Sequence, residues 1–197
     1  MELEEMKSIW GDLSGKVENQ EKIKKEELMK MTRKKYQNSL GKIYLPEILG
    51  SVISFIYAAY FITQFERLQL PVNQVFVVFN TAIMIILPTI SLITLYKLNK
   101  LDIVGESPME LLQKFKKNSV FFRNFQKVTL ILSGMFAITI LPPLAELLGR
   151  VDMISNTKFW IVYVPIGLIC VYIFGSWAFR KYDKALQKAQ DLLEGIE

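Results

Sequence analysis

The chain has no histidine and one cysteine. Without histidine it lacks the usual general base near neutral pH and the commonest metal ligand. The lone Cys170 cannot close an intramolecular disulfide, so it says nothing about redox compartment. Phosphate-binding glycine loops, GxSxG elbows and CxxC pairs are missing as well. No catalytic, cofactor-binding or metal-ligating residue is assigned, no cofactor is expected, and the chain is not expected to be an enzyme.

Charge is the next thing the chain lacks, over particular stretches. Residues 48–65, 68–96, 128–145 and 159–179 contain no Asp, Glu, Lys or Arg. A helix needs about 20 apolar residues to cross roughly 30 Å of hydrocarbon at about 1.5 Å per residue. A soluble four-helix bundle would instead spread charge along one face of each helix. The expected fold class is all-α, a polytopic membrane protein with four transmembrane helices (about 46–65, 74–96, 128–146 and 159–179) and cytoplasmic helical extensions. The first 40 residues are polar and charged, so no cleavable signal peptide is expected and the first span would serve as insertion signal.

What charge there is alternates. Lys30, Arg33, Lys34, Lys35 and Lys42 precede the first run, and only Arg67 follows it. The 97–127 connection carries seven basic residues, the 146–158 connection two, and the tail Arg180, Lys181, Lys184 and Lys188. By the positive-inside rule both termini and the 97–127 connection face the cytoplasm, in the plasma (inner) membrane. The net charge of +5 therefore reflects topology, and nucleic acid is not an expected partner.

Residues 1–42 read as a cytoplasmic helical arm, 43–182 as the bundle and 183–197 as a helical tail. Leu3, Met6, Trp10, Leu13 and Val17 follow the 3-4-3-4 spacing of a coiled-coil-like stripe and form a candidate partner contact. Gly11 and Gly15 each weaken a helix by about 1 kcal/mol relative to Ala, so a break is expected near them. Lys30, Arg33, Lys34, Lys35 and Lys42 form a candidate anionic-lipid contact, about 1 kcal/mol per residue. Ser107, Pro108 and Glu110 have the spacing of an N-cap, a first helical position and a capping box, predicting a helix from 108. Leu111, Phe115, Asn118, Phe122 and Phe125 continue a stripe there, and Tyr182, Leu186, Ala189, Leu193 and Ile196 form one in the tail.

Within the runs, Gly50, Ser54 and Ala58 recur every fourth residue, a candidate helix-packing face within the chain or between copies. Pro88, Pro142, Pro143 and Pro165 are expected to kink three spans. Glu47 and Glu146 lie at run ends, where an acid is expected to snorkel to water. Asn80, Thr81 and Thr89 form a candidate intramembrane polar site, Asn80 foremost because its amide must find a partner.

The opening Leu3-Glu4-Glu5-Met6-Lys7-Ser8-Ile9-Trp10, the Lys/Glu-rich arm and the Ser107-Pro108 helix start resemble small bacterial four-span inner-membrane proteins with a cytoplasmic N-terminal helix. Some of these are encoded beside extracytoplasmic-function sigma factors. The resemblance implies a signalling or regulatory setting and transfers no catalytic residue. Two functions follow. One is a non-enzymatic membrane-anchored interaction or regulatory module that engages a cytoplasmic protein or a second copy through its helices, with membrane lipids around it. The alternative is a small oligomeric transporter or channel for a neutral or weakly polar solute.

Overall fold

A computed structural model describes residues 2–103, 107–149 and 152–195, with some side chains of the first 25 residues left out. Four helices account for most of these residues, and no strand occurs among them. They are α1 (Glu2–Gln64), α2 (Pro71–Asn99), α3 (Pro108–Gly149) and α4 (Val164–Glu194). Each packs on the next in sequence and α4 closes back on α1. The connections are short, so neighbours run antiparallel. We call the end that holds the N-terminal arm, the 100–107 connection and the α4 C-terminus the arm end, and the other the far end.

Local chemistry places the helix starts. Ser107 Oγ accepts the Glu110 N–H at 3.4 Å and the Ser107 carbonyl accepts the Leu111 N–H at 3.0 Å, which opens α3 at Pro108. The α3 helix then runs for 42 residues, through Pro142 and Pro143. A wide five-residue turn, Phe159–Tyr163, leads into α4. It ends at Pro165, which has no N–H and whose ring needs space in the preceding turn.

The arm differs from its sequence reading. Helix α1 is continuous over 63 residues and passes through Gly11 and Gly15 without the expected break. The boundary at residue 42 falls inside this helix. Packing on the bundle begins earlier, at Tyr36, whose hydroxyl donates to the Leu98 carbonyl at 2.7 Å and whose ring meets Phe115 edge-on. Burial pushes the Tyr36 phenol far above its ordinary range, so it stays protonated and remains a donor.

Two apolar clusters hold the bundle. At the arm end, Tyr36, Leu40 and Ile43 of α1 meet Leu95 and Leu98 of α2, Leu111, Phe115 and Phe122 of α3, and Leu186 and Leu193 of α4. Ile196 lies outside the described residues. Toward the far end, Ala58, Phe61, Leu68, Val77 and Met84 form the second cluster, with Phe136, Ile140 and Leu144 against it. Between and around them the usual burial is reversed. Ile131, Ile161, Tyr172 and Phe174 are each more than two-thirds exposed, whereas Asn73, Asn80, Ser91 and Glu146 are buried. All four helices are long and apolar enough to cross a membrane.

Candidate functional site

The inward face of α2 carries the polar chemistry. Asn73, Val77, Asn80, Met84, Ser91, Thr94, Leu95 and Leu98 are its buried residues, and all but Leu95 follow steps of three, four or seven that keep one stripe against the neighbouring helices. Three polar rungs stand on that stripe, each tied to another helix.

The first rung closes the far end. Glu146 of α3 accepts the backbone N–H groups of Gln69 and Leu70, the latter at 3.1 Å, and the side-chain amide of Asn73. No α2 side chain caps that terminus, so a carboxylate from another helix satisfies its free donors and faces the positive end of its dipole. The expectation that Glu146 snorkels to water is therefore corrected. It is only 8% exposed, because three donors replace the water it gives up.

The second rung is neutral. Asn80 donates to the Thr139 carbonyl at 2.9 Å, and the Thr139 hydroxyl donates to Asn80 Oδ1 at 2.8 Å. Asn80, Thr81 and Thr89 are not brought together as one site. Asn80 pairs with Thr139, and the exposed Thr89 turns back to the Ile85 carbonyl at 2.6 Å. Thr81 Oγ1 is buried and bonds to neither of them. Cross-helix hydrogen bonds of this kind contribute about 0.6–1.7 kcal/mol. A double-mutant cycle of Asn80→Leu and Thr139→Val should give a coupling of about 1 kcal/mol in unfolding measurements; additive losses would deny the rung.

The third rung borders a cavity of about 330 Å³ between the two clusters. Glu47, another acid expected to reach water, turns toward this cavity instead. Its Oε2 accepts the Ser91 hydroxyl at 2.7 Å and its Oε1 accepts the Gln126 amide at 3.3 Å. Tyr182 of α4 lines the same cavity, where burial together with the nearby Glu47 carboxylate raises its phenol's pKa. All four helices thus line one cavity beside this carboxylate. Gly50, Ser51 and Ser54 hollow out the α1 side of the cavity, and a Cβ built on Gly50 meets nothing within 4 Å. Of the proposed packing face, only Ala58 is buried, in the far-end cluster.

The remaining predicted contacts lie apart from these rungs. Trp10 and Val17 are 72% and 51% exposed; the side chains of Leu3, Met6 and Leu13 lie outside the described residues. Lys30, Arg33, Lys34, Lys35 and Lys42 are all exposed along α1. No group of three or more acidic or cysteine side chains suited to a metal ion occurs among the described residues. Sequence reasoning missed the pairing of Glu47 with Ser91 and of Glu146 with Asn73. The available signal was the seven-residue interval that separates Asn73 from Asn80 and, in α3, Thr139 from Glu146. Comparisons with protein-family models, curated proteins and solved structures return no match to this chain.

Proposed function

We propose that the chain is an integral inner-membrane protein, both termini cytoplasmic, that acts without catalysis as an interaction or regulatory module through its cytoplasmic helices. The reversed burial of the bundle supports the membrane part. Isoleucines and aromatic rings cover its outside, far beyond the few hundred Å² of apolar patch a water-soluble monomer tolerates. Hydrocarbon removes that penalty and explains why buried polar groups pair inside.

The observation that carries the interaction reading is the reach of α1. From Lys16 to Leu28 every described side chain is exposed, so this stretch projects past the bundle as a single helix. Trp10, Val17 and Met31 stand exposed on it at intervals of seven and fourteen residues, with Lys24 between, and none of the three is buried against another described residue. Water penalises such exposure by roughly 1.5–3 kcal/mol per large side chain. A second helix, from a cytoplasmic protein or another copy, would cover these side chains. The exposed Lys30, Arg33, Lys34, Lys35 and Lys42 would hold the base of the arm on anionic lipid.

Trp10→Ala is the test. As the anchor of a helix–helix contact, Trp10 should contribute about 2 kcal/mol, roughly thirtyfold in affinity. Cross-linking in native membranes, with the oligomeric state measured after extraction, reads the effect. An unchanged partner set and an unchanged oligomeric state would remove the support for this reading.

A further inference from the structure

The Glu47 cavity is not used by the interaction reading, and its chemistry is specific. Among its lining residues Glu47 alone carries a formal charge; no Lys or Arg lines it. Arg123, three residues before Gln126 on α3, is paired with Asp183 at 2.8 Å. The carboxylate is thus held by two neutral donors, from Ser91 and Gln126, with Tyr182 on the same wall. Neutral donors orient a charge and leave its sign uncompensated, and in surroundings of low dielectric an uncompensated anion attracts a cation strongly. A carboxylate also accepts about four hydrogen bonds, so capacity for further donors remains.

The walls select the kind of cation. Met84, Leu87, Phe125 and Phe136 supply apolar and aromatic surface, and the lining exposes more apolar than polar area. A hard divalent ion is usually held by several carboxylates, and Glu47 is the single carboxylate on this wall. The hydroxyls of Ser51 and Ser133 donate to the carbonyls of Glu47 and Thr129, at 2.6 and 2.8 Å, while the buried Thr129 Oγ1 has no hydrogen-bond partner. An organic ammonium suits the cavity better. Its N–H groups donate to the carboxylate, its charge is stabilised by ring faces, and its carbon body takes the apolar wall. The volume of about 330 Å³ accommodates a ring with a short chain. We infer that the cavity beside Glu47 binds a small organic ammonium ion, head group on the carboxylate and body against Phe125, Phe136 and Met84.

The source of such an ion is either a soluble amine or the amine head of a phospholipid, and one experiment separates them. The full chain is reconstituted in phosphatidylglycerol nanodiscs and titrated calorimetrically with 2-phenylethylammonium at pH 7. Saturable binding is expected, at least tenfold tighter than that of 2-phenylethanol, which keeps the volume and a donor but not the charge. Glu47→Gln should weaken binding at least tenfold. So should Gly50→Leu, which adds bulk at the α1 wall of the cavity, where a Cβ meets nothing within 4 Å. Thermal melts of each variant establish that it folds, and if Glu47→Gln does not, Gly50→Leu and the alcohol comparison decide. Equal binding of amine and alcohol, absence of saturable binding, or undiminished affinity in folded Gly50→Leu would overturn the assignment. Repeating the titration with phosphatidylethanolamine in the disc identifies the source. Competition that weakens the probe tenfold assigns the site to the lipid head group, and unchanged affinity assigns it to a soluble amine.

Discussion

Glu146→Ala is expected to destabilise the folded chain by about 3 kcal/mol. The substitution removes the acceptor of three donors at once: the backbone N–H groups of Gln69 and Leu70 and the amide of Asn73. Each donor left without a partner costs about 1–3 kcal/mol where water cannot reach it, and the cleft beside Glu66, Arg67 and Asp152 brings water near enough to keep the total at the lower end. The N-terminus of α2 also loses the anion at its positive end, about 0.3–1 kcal/mol more. Glu146→Gln keeps one acceptor oxygen and should lose roughly half as much. Equilibrium unfolding of the reconstituted protein reads both variants. A Glu146→Ala protein as stable as the parent would mean that the cap contributes nothing.

Phe115→Ala should cost about 3–5 kcal/mol, the usual range for emptying a buried phenylalanine site. Phe115 is fully buried and sits where all four helices meet at the arm end, edge-on to Tyr36. Val120, 54% exposed on the same helix, is the control, and its replacement by alanine should stay within about 0.5 kcal/mol. The loss should also be regional. Hydrogen exchange should accelerate first over residues 36–43 and 186–193, which pack with Phe115, while residues 58–61 in the far-end cluster keep their protection. Uniform acceleration would show that the two clusters unfold as one unit.

How much of this was legible in the sequence differs from residue to residue. The four apolar helices follow from charge-free runs, and a helix start at Pro108 follows from Ser107, because both depend on neighbours in sequence. That Asn80 must find a partner was legible too, since a buried amide without one is costly. The identity of the partner, Thr139, was not, because it stands 59 residues away on another helix. The fate of Glu47 and Glu146 was hidden for the same reason. At the end of an apolar run an acid can face water or the interior, and the choice rests on donors 44 to 79 residues distant. The continuity of α1 through Gly11 and Gly15 went the other way: local propensity argues for a break that the helix does not make.

The first two rungs of α2 have a further consequence. Asn73 pairs with Glu146 and Asn80 with Thr139, so one seven-residue step along α2 matches one seven-residue step backward along α3. Helices this apolar gain little from choosing one sliding position over another, since leucine and isoleucine pack tolerably at many offsets. The rungs do choose. Displacing α2 by two turns toward the α3 N-terminus would set Asn73 against Thr139 and leave Glu146 with none of its donors; the opposite shift would set Asn80 against Glu146 and strand Asn73. Either error loses the carboxylate cap or an amide partner while the apolar contacts scarcely change. The register of the hairpin is therefore encoded by four polar side chains, and a cell assembling this protein from interchangeable greasy helices has a two-point key by which only one alignment fits.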